Sequence, residues 1–481
     1  VVEKNSDLTP EMISNLFRDI DEFKMKRYEL GEGEQLSIVY LLYCDGMIKS
    51  KEINEMVLPQ LKMLLTEADS VDKIDMKLDV RRLRKEDLVL QVFSGQLVIY
   101  FEQQGALFGM DLADIPERLP QESSTEMSIK GPRDAFVEQL ITNIALVRKR
   151  LRSNSLCCER FIIGERSQTD VALLYIQDIA NPETIEEARN RLRGINVDIL
   201  MGSSPLEELL SDNSYSLFPL ISYTTRPDFV VDSLIRGRFV VLANGSPTAV
   251  IAPGNLFFMM RSAEDAYFPY LPSSFGLIFR FLGLAISLLL PGFYIAAVSY
   301  NVEQIPYPLL ATIGLSRMGL PFPGPFEAFL MVGMFEVFRE AGERLPKAVG
   351  STVAVVGGII VGEAAIRAGL ASATLIVIAA ITGVATFTLV NQTFVFAVSI
   401  TRLFIMTVSS FLGMYGFMVS VMGVLLYLAS LNSFGLPYLA PLSPITWKDL
   451  ALVFSRLPWI KKNNRPEMLN TIDSTRQKRR S

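Results

Sequence analysis

The chain has 481 residues, 97 of them charged, with a formal net charge of −5 and no histidine. Without histidine there is no Ser-His-Asp or Cys-His couple, no HExxH zinc helix and no His-held haem, although carboxylate-only sites stay open. No GxxxxGK[ST] string occurs, which excludes a Walker-type phosphate loop, and Cys44, Cys157 and Cys158 form no CxxC pair, which points to a reducing compartment.

The charge is spread unevenly. Residues 1–274 hold 72 charged side chains and a net −12, residues 275–445 hold thirteen with a net +1, and the remainder holds nine basic and three acidic residues. A charged head, an apolar middle and a basic tail are expected from this alone.

In chain order, residues 36–43 (LSIVYLLY) predict a buried strand and 52–65 a helix, while 88–93 and 96–101 predict two strands about a Ser94-Gly95 turn. The polar stretch 121–130 marks a boundary between subdomains. Beyond it the pattern predicts a helix over 134–151, strands over 160–164 and 171–176, and a helix opened by Pro182. A strand over 197–200, a short helix over 205–210, a strand over 218–223 and a helix over 227–236 follow. Residues 238–242 and 248–251 predict a hairpin across Asn244-Gly245. The expected fold is an α/β head of two subdomains with mixed sheets (1–125 and 126–253). An interfacial segment over 254–274, rich in Phe257, Phe258, Tyr267, Phe268 and Tyr270, comes next.

Four apolar runs follow, at 275–300, 350–366, 370–390 and 394–431. A hydrocarbon core about 30 Å thick takes roughly 20 residues as helix, so an all-α polytopic membrane domain is expected over 275–445. The last run would reach about 57 Å as one helix. It therefore either projects or folds into two spans, with the break near Gly413 or Gly416. The amino end has neither a basic n-region nor an apolar h-region, and Lys448, Arg456, Lys461, Lys462 and Arg465 begin a basic tail over 446–481. Head and tail are therefore expected in the cytosol, with four or six crossings between them.

Four strings carry a resemblance. They are KGPRDAFVEQLITNIALVRKRL from Lys130, RPDFVVDSLIRGRFVVLANGSPTAVIAP from Arg226, LPFPGPFEAFLMVGMFEVFREAGERLPKAVG from Leu320 and VVGGIIVGEAAIRAGL from Val355. Together they are similar to the GerA family, the A-subunit class of spore germinant receptors, over about residues 30–445. The resemblance implies a protein of the endospore inner membrane that oligomerises into a ligand-gated channel for monovalent cations and works with B and C subunits. It equally fits receptor-like paralogues that travel with the dipicolinate channel. No enzyme activity, cofactor, metal or nucleic-acid partner is expected; the lipid bilayer and copies of the same chain are.

Three sets of residues are candidates for function. Arg133 and Glu138, with Arg226, Asp228 and Arg238, are candidates for coupling between subunits. Arg133 and Glu138 fit a solvated helix face as well, and Asp228 fits a helix amino end. Glu336, Arg339, Glu340, Glu343 and Arg344 fall at i, i+3, i+4, i+7 and i+8, a charged face on an apolar helix that is either re-entrant or lies on a membrane surface. Val353, Val356, Gly357, Ile360, Glu363 and Ala364 recur at helical spacing as pore-lining candidates, where small residues also fit tight helix packing. Arg280 and Arg402 are expected to snorkel towards headgroups. The competing functional class is a secondary transporter, with Pro291, Pro321 and Pro323 as helix breaks, although the runs show no internal repeat.

Overall fold

The computed structural model describes residues 8–18, 20–30, 37–66, 80–112, 128–344, 362–454, 456–458 and 463–476. The head contains two five-stranded sheets. The first takes β1 (Phe23–Leu30), β2 (Ser37–Cys44), β3 (Val80–Arg82), β4 (Gln96–Phe101) and β5 (Ala106–Asp111) in the order β1-β2-β4-β5-β3. The second takes β6 (Leu156–Ile163), β7 (Thr169–Ile176), β8 (Ser222–Thr224), β9 (Phe239–Ala243) and β10 (Ala249–Ala252) in the order β6-β7-β9-β10-β8.

Both sheets bury two faces, which is why their central strands read as unbroken apolar runs rather than as alternation. In the second, Leu173 and Val241 pack on the helices Pro182–Gly194 and Ser203–Leu210, while Leu174 and Val240 pack on Leu140–Arg150 and Pro227–Ile235. In the first, Leu41 and Ile99 meet the helix over 50–66, and Leu42 and Val98 meet Ile13, Phe17 and Phe93.

The expectation of mixed sheets is corrected: every ladder between the named strands is antiparallel. Helices intervene between strands as they do in parallel folds, yet β6-β7, β4-β5 and β9-β10 are hairpins and the intervening helices return the chain to an antiparallel neighbour. Residues 88–93 also depart from expectation. Leu88–Val92 is a helix, with Leu88 and Val92 buried at i and i+4 and Leu90 exposed. β4 instead makes its hairpin with β5, after Gly95 turns the chain at φ 84°. Residues 197–200 form no strand. The Asn244-Gly245 hairpin is present and also serves a neighbouring helix, since Asn244 Oδ1 accepts from Leu140 N at 3.1 Å and so caps Leu140–Arg150.

Below the head lies a layer of apolar helices, Tyr270–Ser299, Tyr307–Arg317, Gly324–Arg344, Ala373–Thr386 and Gln392–Ser430. Two of them, Tyr270–Ser299 and Gln392–Ser430, are long and apolar enough to cross a membrane by length and composition. The second is a hairpin. The Phe218 ring of the head lies 5.9 Å from Phe394 and 6.3 Å from Tyr427, whereas a straight helix would separate those two residues by about 50 Å. The reversal falls at Gly413, whose φ of 59° and ψ of −140° no helix contains. A side chain there would bring its Cβ to 2.7 Å from Tyr300 Cβ, so the position needs glycine on both counts.

Candidate functional site

The charged residues of the helical layer organise around Arg402. Pro291 inside the Tyr270–Ser299 helix has no N–H to give, so the carbonyl of Ser287, one turn earlier, loses its helical partner. Arg402 reaches across from the neighbouring helix and donates to that carbonyl at 3.5 Å. Nη1 also donates to Thr386 Oγ1 at 3.2 Å and Nη2 to Ser399 Oγ at 3.3 Å, the charge is matched by Glu336, and Nε is buried without an acceptor among the described residues. Three helices thus meet a fourth through one guanidinium that is 2% exposed. Arg402 does not snorkel: it lies mid-helix, and its burial is tolerated because acceptors around Nη1 and Nη2 replace water there.

The predicted charged face divides in two. Glu336 also accepts from Ser399 Oγ at 3.0 Å and from Arg339 Nε at 2.9 Å, and the Arg339 guanidinium lies 4.8 Å from the Phe396 ring centre. Glu340 and Arg344 pair with each other on the exposed side; the side chain of Glu343 lies outside the described residues. The helix that carries them packs Ala328, Met331 and Val332 into the layer rather than lying on a surface. Its first turn adds Glu327, 1% exposed, which accepts from Ser372 N at 3.2 Å at the amino end of Ala373–Thr386 and faces Arg317 at 3.6 Å. A carboxylate at that end meets unsatisfied N–H groups and the positive pole of the helix.

The junction between head and layer is a second constellation. Arg226 grips Asp228 through Nε at 3.1 Å and Nη2 at 2.7 Å, and Glu264 through Nη1 at 2.6 Å. Glu264 also accepts from Ser128 Oγ and Lys130 N, both at 3.1 Å. Burial alone would raise the Glu264 carboxyl, but Arg226 and these two donors hold it below its ordinary value. Gly131 fits here because a Cβ would stand 2.4 Å from Arg226 Nη2. Arg238, 2% exposed, donates to the carbonyl of Pro253 at 2.9 Å and stacks 4.0 Å above the Phe258 ring. Burial pushes this guanidinium well down, and its neighbours Arg236 and Arg261 push the same way.

Gly131, Arg226 and Glu264 bring together segments that the sequence leaves far apart, and a family-wide match covers all of them. The family described as Bacillus/Clostridium GerA spore germination protein matches residues 11–468. The chain belongs to the GerA family.

Relatives extend the match over nearly the whole length. This GerA-family chain is 43% identical over 448 residues to Spore germination protein XA of Bacillus anthracis, covering 92% of this chain and 91% of that protein. It is 32% identical over 464 residues to the uncharacterized membrane protein YfkQ of Bacillus subtilis (strain 168), covering 95% of this chain and 90% of the relative. The crystal structure of the N-terminal domain of the A subunit of the Bacillus megaterium spore germinant receptor GerK3 aligns at 23% identity with a TM-score of 0.38, covering 50% of this chain and 92% of that one.

The other candidates are placed as follows. Arg226, Asp228 and Arg238 are turned into their own chain, with bonds to Glu264 and Pro253. Arg133 and Glu138 are exposed, and the Glu138 carbonyl accepts from Gly245 N at 2.7 Å. Glu363 is exposed and pairs with Arg367 one turn on at 2.6 Å; Ala364 beside it is exposed too. Val353, Val356, Gly357 and Ile360 lie outside the described residues. Arg280 pairs with Asp265 through two bonds of 2.6 and 2.8 Å rather than pointing outward. The aromatics of 254–274 also separate, with Phe257 and Phe258 buried in the head and Tyr267 and Tyr270 exposed.

The tail is tied back onto the head. Ile472 N donates to the carbonyl of Ile179, Arg465 Nε to that of Ile235, and Arg476 to Asp232 at 3.0 Å. Head and tail therefore share one side of the helical layer. Composition signals a basic tail but carries no sign of this docking, since its acceptors are backbone carbonyls and one distant carboxylate.

Proposed function

We propose that this GerA-family protein is the A-type subunit of a spore germinant receptor, an integral protein of the spore inner membrane with head and tail on the cytosolic side. In this reading several copies assemble with B and C partner subunits, and the helical layer forms a ligand-gated path for monovalent cations. The names of its relatives support the receptor part; the observation that carries the channel part is the Glu336–Arg402 pair, a charge network held inside apolar helices by ligands from four of them. An ion pair at that depth is costly unless it does something. Here it joins helices that can exchange polar partners without unfolding, which is what a gate needs. The membrane reading is further supported by two elements of membrane-crossing length and by a glycine reversal that lets the second cross twice.

Purified full-length protein reconstituted in planar bilayers provides the test. Unitary current steps carried by potassium or sodium, with an open probability altered by Glu336→Gln, are expected. Ion flux without unitary steps would transfer the protein to the carrier class, and silence from an oligomeric preparation would overturn the channel reading altogether.

A further inference from the structure

The short helix Tyr307–Arg317 lies at the end of the helical layer opposite the head. The Tyr270–Ser299 helix that leads to it is about 45 Å long. Tyr300, just past the end of that helix, packs on the Gly413 reversal and donates through its hydroxyl to the carbonyl of Ser410. From 304 to 316 the chain has no charged residue. Within the short helix only Ile313 is buried, in the core of the layer, whereas Tyr307, Leu309 and Leu315 are 82%, 52% and 70% exposed. At about 100° per residue these three are spread over roughly 200° of the circumference.

A helix resting in water or among headgroups shows a charged face, and a helix docked on a partner shows one apolar stripe. This one shows neither. Its single charge, Arg317, stands at the last position and pairs with the buried Glu327 at 3.6 Å. The polar groups are also turned inward. Pro306 and Pro308 carry no N–H, and Leu309 N donates to the carbonyl of Pro306 at 2.9 Å, which accounts for three of the four positions where a helix start leaves its amides open. Thr312 Oγ1 donates back to the carbonyl of Pro308 at 3.0 Å, and Ser316 Oγ to that of Ile313 at 2.8 Å. At the far end Met318 N and Leu320 N return to the carbonyls of Leu315 and Arg317, each at 3.3 Å. Satisfaction of these groups from within the element is what hydrocarbon surroundings require.

We propose that Tyr307–Arg317 is a lipid-binding surface, a helix embedded among the acyl chains of the leaflet remote from the head. The inference rests on the membrane reading above and adds to it an element that crosses nothing: at about 16 Å the helix covers only about half of a 30 Å hydrocarbon core. Its exposed side chains stand at the same end of the layer as the exposed Phe293 and Phe411 of the two long helices, so one apolar surface serves all three. Acyl chains then hold the link between the first long helix and Gly324–Arg344 inside the leaflet. Only the short turn that carries the exposed Glu303 is left to water on that link.

The test places one nitroxide on the full-length chain in liposomes of phosphatidylcholine and phosphatidylglycerol, through Tyr307→Cys, Leu309→Cys or Leu315→Cys. Cys44, Cys157 and Cys158 are at most 1% exposed, so the unsubstituted chain is the labelling blank. Collision of the nitroxide with oxygen, which concentrates among acyl chains, is compared with collision with a water-soluble nickel chelate. Leu282→Cys on the first long helix and Met63→Cys on the head, both at exposed positions, supply the references. Oxygen should exceed the chelate severalfold at all three positions, as at Leu282→Cys and in contrast to Met63→Cys. A chelate-favoured label at any of the three, with Leu282→Cys still favouring oxygen, overturns this inference and leaves the membrane reading standing. A chelate-favoured label at Leu282→Cys as well overturns both. Poor access of both reagents to Tyr307→Cys and Leu315→Cys would mark a protein partner in place of lipid and would overturn the inference too. Because the three positions are exposed and independent, two of them carry the test if one variant folds poorly.

Discussion

Arg148 and Arg402 are buried to nearly the same degree, 0% and 2% exposed, and each faces one carboxylate from a distant part of the chain. Arg148 lies at the seam between the two sheets of the head. It donates through Nε to Glu22 at 3.0 Å, caps the carbonyls of Ser153 and Leu156, and rests 4.2 Å from the Phe93 ring. Apart from Glu22, those partners are backbone groups and a fixed ring. Arg402 is surrounded mainly by hydroxyls and by a carbonyl that Pro291 released, and its carboxylate is shared with Arg339. Rigid acceptors make a staple, whereas rotatable ones make a joint with more than one satisfied arrangement.

The comparison breaks most readily at the seam. Glu22→Ala strands a fully enclosed guanidinium, which costs about 3–5 kcal/mol, and the unfolding midpoint of the full chain should fall sharply. Glu336 is 20% exposed and Arg402 retains three other acceptors, so Glu336→Gln should cost less, about 1–3 kcal/mol, by the same measurement. Equal losses in the two variants would erase the distinction between staple and joint. Pro291→Ala returns an N–H to the Ser287 carbonyl and removes one acceptor from Arg402. Here an effect of about 1 kcal/mol is expected, with slower hydrogen exchange at residue 291 than at an exposed turn; rapid exchange there would show that the carbonyl still prefers the arginine.

A partly buried pair sets the low end of the scale. Arg189 holds the Glu159 carboxyl below its ordinary value, with Tyr175 helping against burial. A depressed carboxyl stabilises the fold above its unfolded-state value of about 4.5, and that contribution disappears as pH falls through the folded-state value. Glu159→Gln should therefore lower stability at neutral pH by less than about 1 kcal/mol and leave strongly acid pH nearly unchanged, so that the acid limb of the profile flattens. An undiminished acid limb in the variant would show that Glu159 contributes nothing to it.

What is legible in the sequence follows from the range of each interaction. Pro182 and Pro227 open helices, Asn244-Gly245 turns a hairpin, and the overlong apolar run breaks at Gly413, because each feature acts within a few residues. Leu88–Val92 departs from its expected strand because five apolar or amphipathic positions fit a strand as well as a helix. Sheet pairing escapes the pattern because intervening helices do not report strand direction. Arg402 suggests a headgroup contact for a related reason: a lone cation in an apolar run shows no local partner, and Glu336 and Ser287 become visible only after the helices pack. Glu327 and the arginines beneath the head are equally silent, since nothing near them in sequence marks them as neighbours.

The return of residues 463–476 to the head has a mechanical consequence. The polypeptide leaves the head through the Tyr270–Ser299 helix and comes back to it after the last helix, so the layer is mounted at both its entry and its exit. A shift of the head is then transmitted to two anchored posts at once, and Gly324–Arg344 and Ala373–Thr386 lie between these posts, tied to one of them through Arg402. Glu336, carried by one of these inner elements, is thus bonded to a helix that itself rests on the head through Phe394 and Phe218.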